Sequence, residues 1–304
     1  MRVLIGVSSF AVADKSPLER LLSNGIEVTE NPFKRKLTKE ELINLLTNDT
    51  LGLIAGLEPL DREVLENSNL SVISRVGVGL SNIDLKAAEE LGIKVCFTPS
   101  GPTTAVAELT VGTMLSLVRM VPQMDRDLHR NKWNKRIGFQ LEGKTVAIIG
   151  YGRIGKKVAD LLQSFSVNII VVDPYIEEDS VDYPILPLIE ALPRADIITI
   201  HTSGEKCILG KSEFPILKMG VYLLNAARGG LVSESLLIEA LNDGRVASAW
   251  LDTFESEPYS GSLTDCENVI LTPHVGSYTV ECRAQMEGEA VDNLINVLGR
   301  KTNF

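Results

Sequence analysis

The chain has 304 residues, 44% of them apolar and 23% charged, with a formal net charge of −10. That length exceeds a usual single core, so two domains are expected, and the acidic balance disfavours a nucleic-acid or anionic-membrane partner, which would need Lys and Arg against phosphate. No apolar run approaches a membrane span, Met1 leads straight into an apolar run without a signal-peptide pattern, and Cys96, Cys207, Cys266 and Cys282 show no CxxC spacing, so a cytoplasmic protein with free thiols and no metal site is expected.

From the N-terminus, strand and helix signals alternate. Strands are predicted at 3–7, 51–55, 72–76 and 93–97, and helices at 17–23, 37–46, 61–66 and 84–91. Thr38 followed three residues on by Glu41 marks a helix start, and Gly92 a helix end. The basic run Lys34, Arg35, Lys36 and Lys39 reads as a solvated approach to a helix. Alternation of this kind, carried through four strands, argues for a parallel, doubly wound domain. Thr98-Pro99-Ser100-Gly101-Pro102 then interrupts the pattern. Helices at 103–118 and 121–131 follow and lead to Trp133 and a loop before Lys144; their apolar content exceeds what one face needs, so part is expected to bury against another subunit.

The next stretch organises the second half. A short apolar run, Val146 to Ile149, stops at Gly150-Tyr151-Gly152-Arg153-Ile154-Gly155, a helical pattern follows, and a second apolar run ends on Asp173. Gly150 permits the tight turn, Gly152 lets backbone amides approach a pyrophosphate, and Gly155 lets the helix pack on the strand. The start of that helix, Arg153 and Ile154, offers unpaired N–H groups to the phosphates. Asp173 stands where a carboxylate accepts the ribose hydroxyls and repels a 2′-phosphate, which favours NAD over NADP. A glycine-rich turn that binds nothing is the alternative, and the flanking strand, helix and terminal Asp argue against it. Strands are further predicted at 197–201, 222–225, 247–251 and 269–272, with a helix at 233–242 and a last helix at 278–298 that is expected to fold back on the first domain.

Three charged positions lie in loops after predicted strands, where α/β sheets present ligands. They are Arg228 in Asn225-Ala226-Ala227-Arg228-Gly229-Gly230, Glu257 in Asp252-Thr253-Phe254-Glu255-Ser256-Glu257-Pro258, and His274 in Thr272-Pro273-His274-Val275-Gly276. Each alone has a structural reading, as a strand cap, a loop marker or a packed imidazole. Together, downstream of a dinucleotide turn, they point to catalysis. His201, ending a strand, is read as structural or cofactor-lining, and His129 as solvated.

With these motifs the chain resembles the D-isomer-specific 2-hydroxyacid dehydrogenases over essentially its whole length, and is most similar to the D-3-phosphoglycerate dehydrogenases. The resemblance implies a Rossmann-type doubly wound parallel sheet at 99–275, with a discontinuous flavodoxin-like α/β substrate domain at 1–98 and 276–304. It implies hydride transfer between NAD and C2 of a small D-2-hydroxy or 2-oxo acid. Arg228 would hold the substrate carboxylate and carbonyl oxygen, His274 would exchange the proton, and Glu257 would orient the imidazole. Gly150, Gly152, Arg153, Ile154, Gly155, Asp173, Ala226, Asp252 and His274 would line the cofactor; Arg75, Val78, Gly79, Arg228 and His274 would hold the substrate, with Arg75 near a distal phosphate. Lys135 and Arg136 would add positive charge from this or a neighbouring subunit. A homodimer and a role in serine biosynthesis are also implied; closure of the domains during turnover is expected because hydride transfer benefits from excluded water, and, with the sequence stopping at Phe304, no C-terminal regulatory domain is expected.

Formate dehydrogenases carry glutamine at the position of Glu257 and phosphite dehydrogenases a lysine near Val78; this chain has neither. It departs from the family pattern at Ser81, usually Asp, and in Thr202-Ser203-Gly204-Glu205-Lys206, which is shorter than usual and lacks Pro-Leu-Thr. Reduction of hydroxypyruvate, glyoxylate or another 2-oxo acid stays open beside phosphoglycerate oxidation, as does, in another class, an NAD-sensing interaction protein.

Overall fold

The computed structural model describes residues 1–177, 181–204 and 206–299, so Glu205 of the shortened loop lies outside the described residues. The chain divides into two compact units, Met1–Pro102 with Ser277–Phe304, and Thr103–Gly276.

The first unit is built on five parallel strands, β1 (Arg2–Ile5), β2 (Glu27–Glu30), β3 (Thr50–Ala55), β4 (Val72–Arg75) and β5 (Lys94–Phe97), in the order β2-β1-β3-β4-β5. This is the flavodoxin-type order, whose switch point lies between β1 and β3. Its helices are α1 (Ser16–Ser23), α2 (Lys39–Leu45), α3 (Arg62–Glu66), α4 (Leu85–Glu90) and the C-terminal α10 (Val280–Gly299). Three of them start one residue or more later than the sequence signal, because the signal residue is the cap. Thr38 accepts from the Glu41 amide while the Glu41 carboxylate accepts from the Thr38 amide; Asp61 and Asp84 likewise cap α3 and α4 through Val64 and Ala87. Strand β2 is not among the segments marked by the sequence. It is an edge strand with no fully buried residue and a Glu at each end, so it lacks the apolar signature of its neighbours. Helix α10 buries Met286, Ala290, Val291, Leu294 and Leu298 and packs on β3, β4 and α1. Gly52 in β3 admits it, since a Cβ there would meet Leu294 at 3.1 Å.

The first boundary falls at Pro102/Thr103 rather than 98/99. Thr98 exchanges two hydrogen bonds with Gly77, and Gly101 lies against Met286 and Cys282, so this stretch belongs to the first unit.

The second unit carries α5 (Pro102–Val118), α6 (Val121–His129), β6 (Thr145–Ile149), α7 (Arg153–Leu162), β7 (Asn168–Val172), α8 (Leu188–Ala191), β8 (Ile197–Ile200), β9 (Val221–Asn225), α9 (Glu234–Asn242), β10 (Val246–Leu251) and β11 (Val269–Leu271). Its six parallel strands run β11-β10-β9-β8-β6-β7, with one further parallel bridge, Val171 to Ile185, on the outer edge of β7. Counting that bridge as a vestigial strand restores the Rossmann order, with the switch point between β6 and β8. Two cores flank the sheet, one of them holding Trp250, Ile148, Leu224 and the α5 residues Ala107, Val111, Met114 and Leu117. Much of the apolar excess of α5 is thus absorbed within its own unit. The exposed apolar residues come later, at Val121, Leu128, Trp133 and Ile137. Helices α5 and α6 bend by 66° across Met120, which takes a left-handed φ of 54°. Among the described residues no single helix is long and apolar enough to cross a membrane.

Candidate active site

At the second unit's switch point the glycine turn has the geometry that a dinucleotide needs. Gly150 adopts φ +92°, and a Cβ there would lie 2.5 Å from the Thr202 amide at the end of β8; one on Gly155 would lie 2.1 Å from the Gly150 carbonyl. Both positions are closed to any side chain. At Gly152 a Cβ would meet nothing within 4 Å, so the backbone faces open space there. Gly152 caps α7 without a side-chain bond, leaving the first amides, from Arg153 and Ile154 on, for an anion. Asp173, ending β7, accepts from the Tyr151 amide at 2.8 Å and the Tyr175 amide at 3.0 Å, which fixes its carboxylate beside the turn. These residues fit NAD.

His201 ends β8 at 2.8 Å from the Thr199 hydroxyl, and burial pushes its pKa down to about 3. It is therefore neutral and no proton donor at ordinary pH. His129 is exposed, 3.5 Å from Asp125.

Arg228, Glu257 and His274 follow β9, β10 and β11 in turn, at the same end of adjacent strands. The Arg228 turn is clamped by Asn225, whose amide donates to the Arg228 carbonyl at 2.8 Å while its carbonyl oxygen accepts from the Ala227 amide at 3.0 Å; Ala226 packs against the core holding Trp250. Gly229 lets this turn touch the next loop, since a Cβ there would sit 2.0 Å from the Phe254 carbonyl carbon. The Arg228 Nη1 donates to the Ala227 carbonyl at 2.7 Å.

Glu257 and His274 are joined at 2.9 Å between Oε2 and Nδ1, and Glu257 Oε1 accepts from the Phe254 amide at 3.1 Å. A carboxylate so held fixes the Nδ1–H tautomer and frees Nε2 for proton exchange. His274 takes a left-handed φ of 54°, a costly conformation for a side chain of this kind, and its surroundings enforce it. Asp252, 1% exposed, accepts from the Val275 amide and the Thr272 hydroxyl with Oδ1 and from the Gly276 amide with Oδ2. Thr272 in turn accepts from the Trp250 indole at 2.9 Å. In this structure Asp252 is the anchor of the His274 loop. Among the described residues no group of His, Cys, Asp and Glu is placed to hold a metal ion.

In the first unit, Arg75 ends β4 beside Ala55 of β3, and its Nη1 donates to the Val76 carbonyl. Val78 is exposed and Gly79 half-buried. Ser81 is exposed, and the neighbouring Asn82 ties the loop by donating to the Glu58 carbonyl at 2.7 Å. Arg136 of the second unit is engaged with Asp127 at 2.9 Å, while Lys135 is exposed.

The sequence reading missed Glu58 and Thr272. Glu58 is 1% exposed, and both its oxygens accept from the Gly56 amide, at 2.9 and 3.0 Å. Burial pushes its pKa up, against the Gly56 amide and the charges of Arg75 and Lys36. A carboxylate in the loop after a strand was the available signal, the same placement that marked Glu257.

A profile of the D-isomer specific 2-hydroxyacid dehydrogenase NAD binding domain matches residues 111–276. The chain is 37% identical over 294 residues to a D-3-phosphoglycerate dehydrogenase of Methanocaldococcus jannaschii, covering 89% of this chain and 56% of that one. It is 33% identical over 297 residues to a hydroxypyruvate reductase of Thermotoga maritima, covering 94% and 96%. The crystal structure of the TT0316 protein from Thermus thermophilus superposes with a TM-score of 0.90 at 33% identity, covering 99% of this chain and 97% of that one. The chain spans about half the length of the phosphoglycerate dehydrogenases it matches.

Proposed function

The chain belongs to the D-isomer-specific 2-hydroxyacid dehydrogenases, as an NAD-dependent enzyme with a small 2-oxo acid as substrate, and within that family we propose that it interconverts D-3-phosphoglycerate and 3-phosphohydroxypyruvate, the oxidation that opens serine biosynthesis. The observation carrying the chemistry is the 2.9 Å link between Glu257 and His274, beside the clamped turn that presents Arg228.

NAD, when bound, accepts or supplies the hydride. Arg228 pairs its planar guanidinium with the substrate carboxylate and carbonyl oxygen, which orients C2 and polarises the carbonyl. In the reduction direction His274 gives the Nε2 proton to that oxygen as the alkoxide forms; in oxidation it takes the proton back. Glu257 keeps the ring oriented and stabilises the imidazolium. Gly150, Gly152, Arg153, Ile154, Gly155, Asp173 and Ala226 hold the cofactor, Asp252 fixes the His274 loop at its nicotinamide end, and Arg75 with the Val78-Gly79 loop takes the distal part of the substrate. The exposed Val121, Leu128, Trp133 and Ile137 suit a homodimer contact.

Support for the phosphorylated substrate is Arg75 at the end of β4 and the phosphoglycerate dehydrogenase relatives. A second reading, reduction of hydroxypyruvate or glyoxylate, is favoured by the buried carboxylate of Glu58 near Arg75 and by the hydroxypyruvate reductase matched over 96% of its length. The test is NADH oxidation with 3-phosphohydroxypyruvate, hydroxypyruvate, glyoxylate, pyruvate and 2-oxoglutarate. A lead in kcat/KM of about a hundredfold for the phosphorylated acid, roughly 2.7 kcal/mol, supports the first reading. A lead for hydroxypyruvate or glyoxylate replaces it with the second, and NADH binding without turnover of any acid removes both.

A further inference from the structure

In the first unit's sheet the switch point lies between β1 and β3, where folds of this order place a ligand. Here that place is filled from within. A Cβ on Gly6, just after β1, would lie 2.2 Å from Glu58 Oε1, and one on Gly56, just after β3, would lie 3.0 Å from Glu58 Oε2. Two side-chain-free positions on the neighbouring strand ends thus make the slot, and the Glu58 carboxylate occupies it on the Gly56 amide. The adjacent strand β4 ends at the same level. Arg75 is paired in register with Ala55, and the Val76 amide donates to the Ala55 carbonyl at 2.9 Å. The guanidinium folds over Gly77, where a Cβ would lie 2.4 Å from Nη1. A buried acid and a cation therefore stand on neighbouring loops, the cation on the loop assigned above to the substrate.

We propose that Glu58 is a specificity-determining positioning residue: acting through Arg75, it offsets the cation and so limits how strongly the 75–79 loop favours a substrate ending in a phosphate dianion over one ending in a hydroxyl. The physical ground is that a guanidinium with a fixed anion beside it presents little net charge to a second anion, while its N–H donors still serve a neutral oxygen. Glu58 cannot do this by touching substrate, being 1% exposed. Burial raises its pKa and so favours the neutral acid, with the charges of Arg75 and Lys36 opposing the rise; the offset belongs to the ionised form, and its ground is the geometry of the neighbouring strand ends. Lys36 also faces the carboxylate electrostatically and leaves some negative charge compensated when Arg75 is absent.

The inference rests on the dehydrogenase reading and on Arg75 belonging to the substrate side, but not on which acid leads in the wild type. Its readout is the ratio of kcat/KM for 3-phosphohydroxypyruvate to that for hydroxypyruvate, measured at one pH and ionic strength. Glu58→Gln is expected to raise the ratio at least tenfold, mostly through KM for the phosphorylated acid, and Glu58→Asp, which keeps the charge, to stay near the wild type. In an Arg75→Gln background Glu58→Gln is expected to shift the ratio much less. An unchanged ratio in folded Glu58→Gln, or an equal rise in the Asp and Gln variants, overturns the proposal and leaves Glu58 a packing residue. Should Glu58→Gln not fold, the double variant Glu58→Gln/Arg75→Gln decides: a ratio within a few-fold of wild type supports mutual offset, and a fall of a hundredfold shows an unopposed Arg75. Absence of turnover with any 2-oxo acid in the wild type would instead defeat the dehydrogenase reading itself.

Discussion

A Cβ built on Gly152, after β6, would meet nothing within 4 Å, whereas one built on Gly6, after β1, would strike the Glu58 carboxylate at 2.2 Å. Both glycines follow the first strand of a parallel sheet whose order reverses at that strand, so topology prepares the same crevice twice. In the second unit it is left open, and the start of α7 with Asp173 gives it donors and an acceptor for a dinucleotide. In the first unit an internal acid takes the space, and the residues proposed to hold the substrate stand one strand over, Arg75 at the end of β4 and the exposed Val78 with Gly79 just after it. A switch point is thus a vacancy offered by the fold, and the loop residue beside it decides whether a ligand or the chain itself fills it.

The largest expected effect belongs to the chemistry. His274→Ala should lower kcat by about a thousandfold while NADH still binds, as general acid–base groups contribute roughly 10²–10⁴. Stopped-flow hydride transfer with NADH reads it, and a loss below about tenfold would move the proton exchange elsewhere. Next is the open switch point. Asp173→Ala should reduce the preference for NADH over NADPH by about tenfold or more, the worth of a hydrogen bond to a charged group together with the lost repulsion of a 2′-phosphate. Ratios of kcat/KM for the two cofactors measure this, and an unchanged preference would take Asp173 out of cofactor selection.

The filled switch point makes the contrary prediction. Gly6→Ala should destabilise the first unit by about 1–3 kcal/mol, as overpacking does, with the Kd for NADH unaltered. Limited proteolysis of the first unit, set against NADH titration, separates the two effects; a weakened NADH affinity would break the contrast drawn between the sheets.

The smallest effect is the pH response of His201. Its folded pKa of about 3 lies below the ordinary 6.5, so as pH falls the unfolded chain takes up the proton first. Its contribution to stability is complete above pH 6.5 and is lost progressively toward pH 3. Between pH 6 and pH 5 the wild type should lose about 1 kcal/mol more than His201→Asn. Both tryptophans, Trp133 and Trp250, lie in the second unit, so fluorescence during urea unfolding reports that unit alone. Parallel losses in both proteins would show that His201 titrates freely.

The motif residues were legible because each is a local statement. GYGRIG, NAARGG and the Pro-His-Val-Gly step announce turns by residue type and spacing alone, and apolar runs between them mark buried parallel strands. Strand β2 was not legible, since an edge strand carrying Glu27 and Glu30 has no apolar pattern to read. Glu58 was passed over although it follows a strand, because nothing in Gly56-Leu57-Glu58-Pro59 says whether the acid points to water or into a slot. The anchoring of the His274 loop was equally hidden: Trp250, Asp252 and Thr272 are distant in sequence from one another's partners, and only the pairing of β10 with β11 makes them one network.

The sequence alone determined the two alternating α/β patterns, the cofactor turn with its terminal acid, and the identity of the three residues assigned to chemistry. These depend on spacing, apolar period and side-chain type, all of which are local to the chain. Only the tertiary structure decided the strand orders, the role of Asp252 as anchor, and the burial of Glu58 beside the loop of Arg75. Each of these turns on which strand ends become neighbours, a matter settled by packing and register across segments that the sequence keeps far apart.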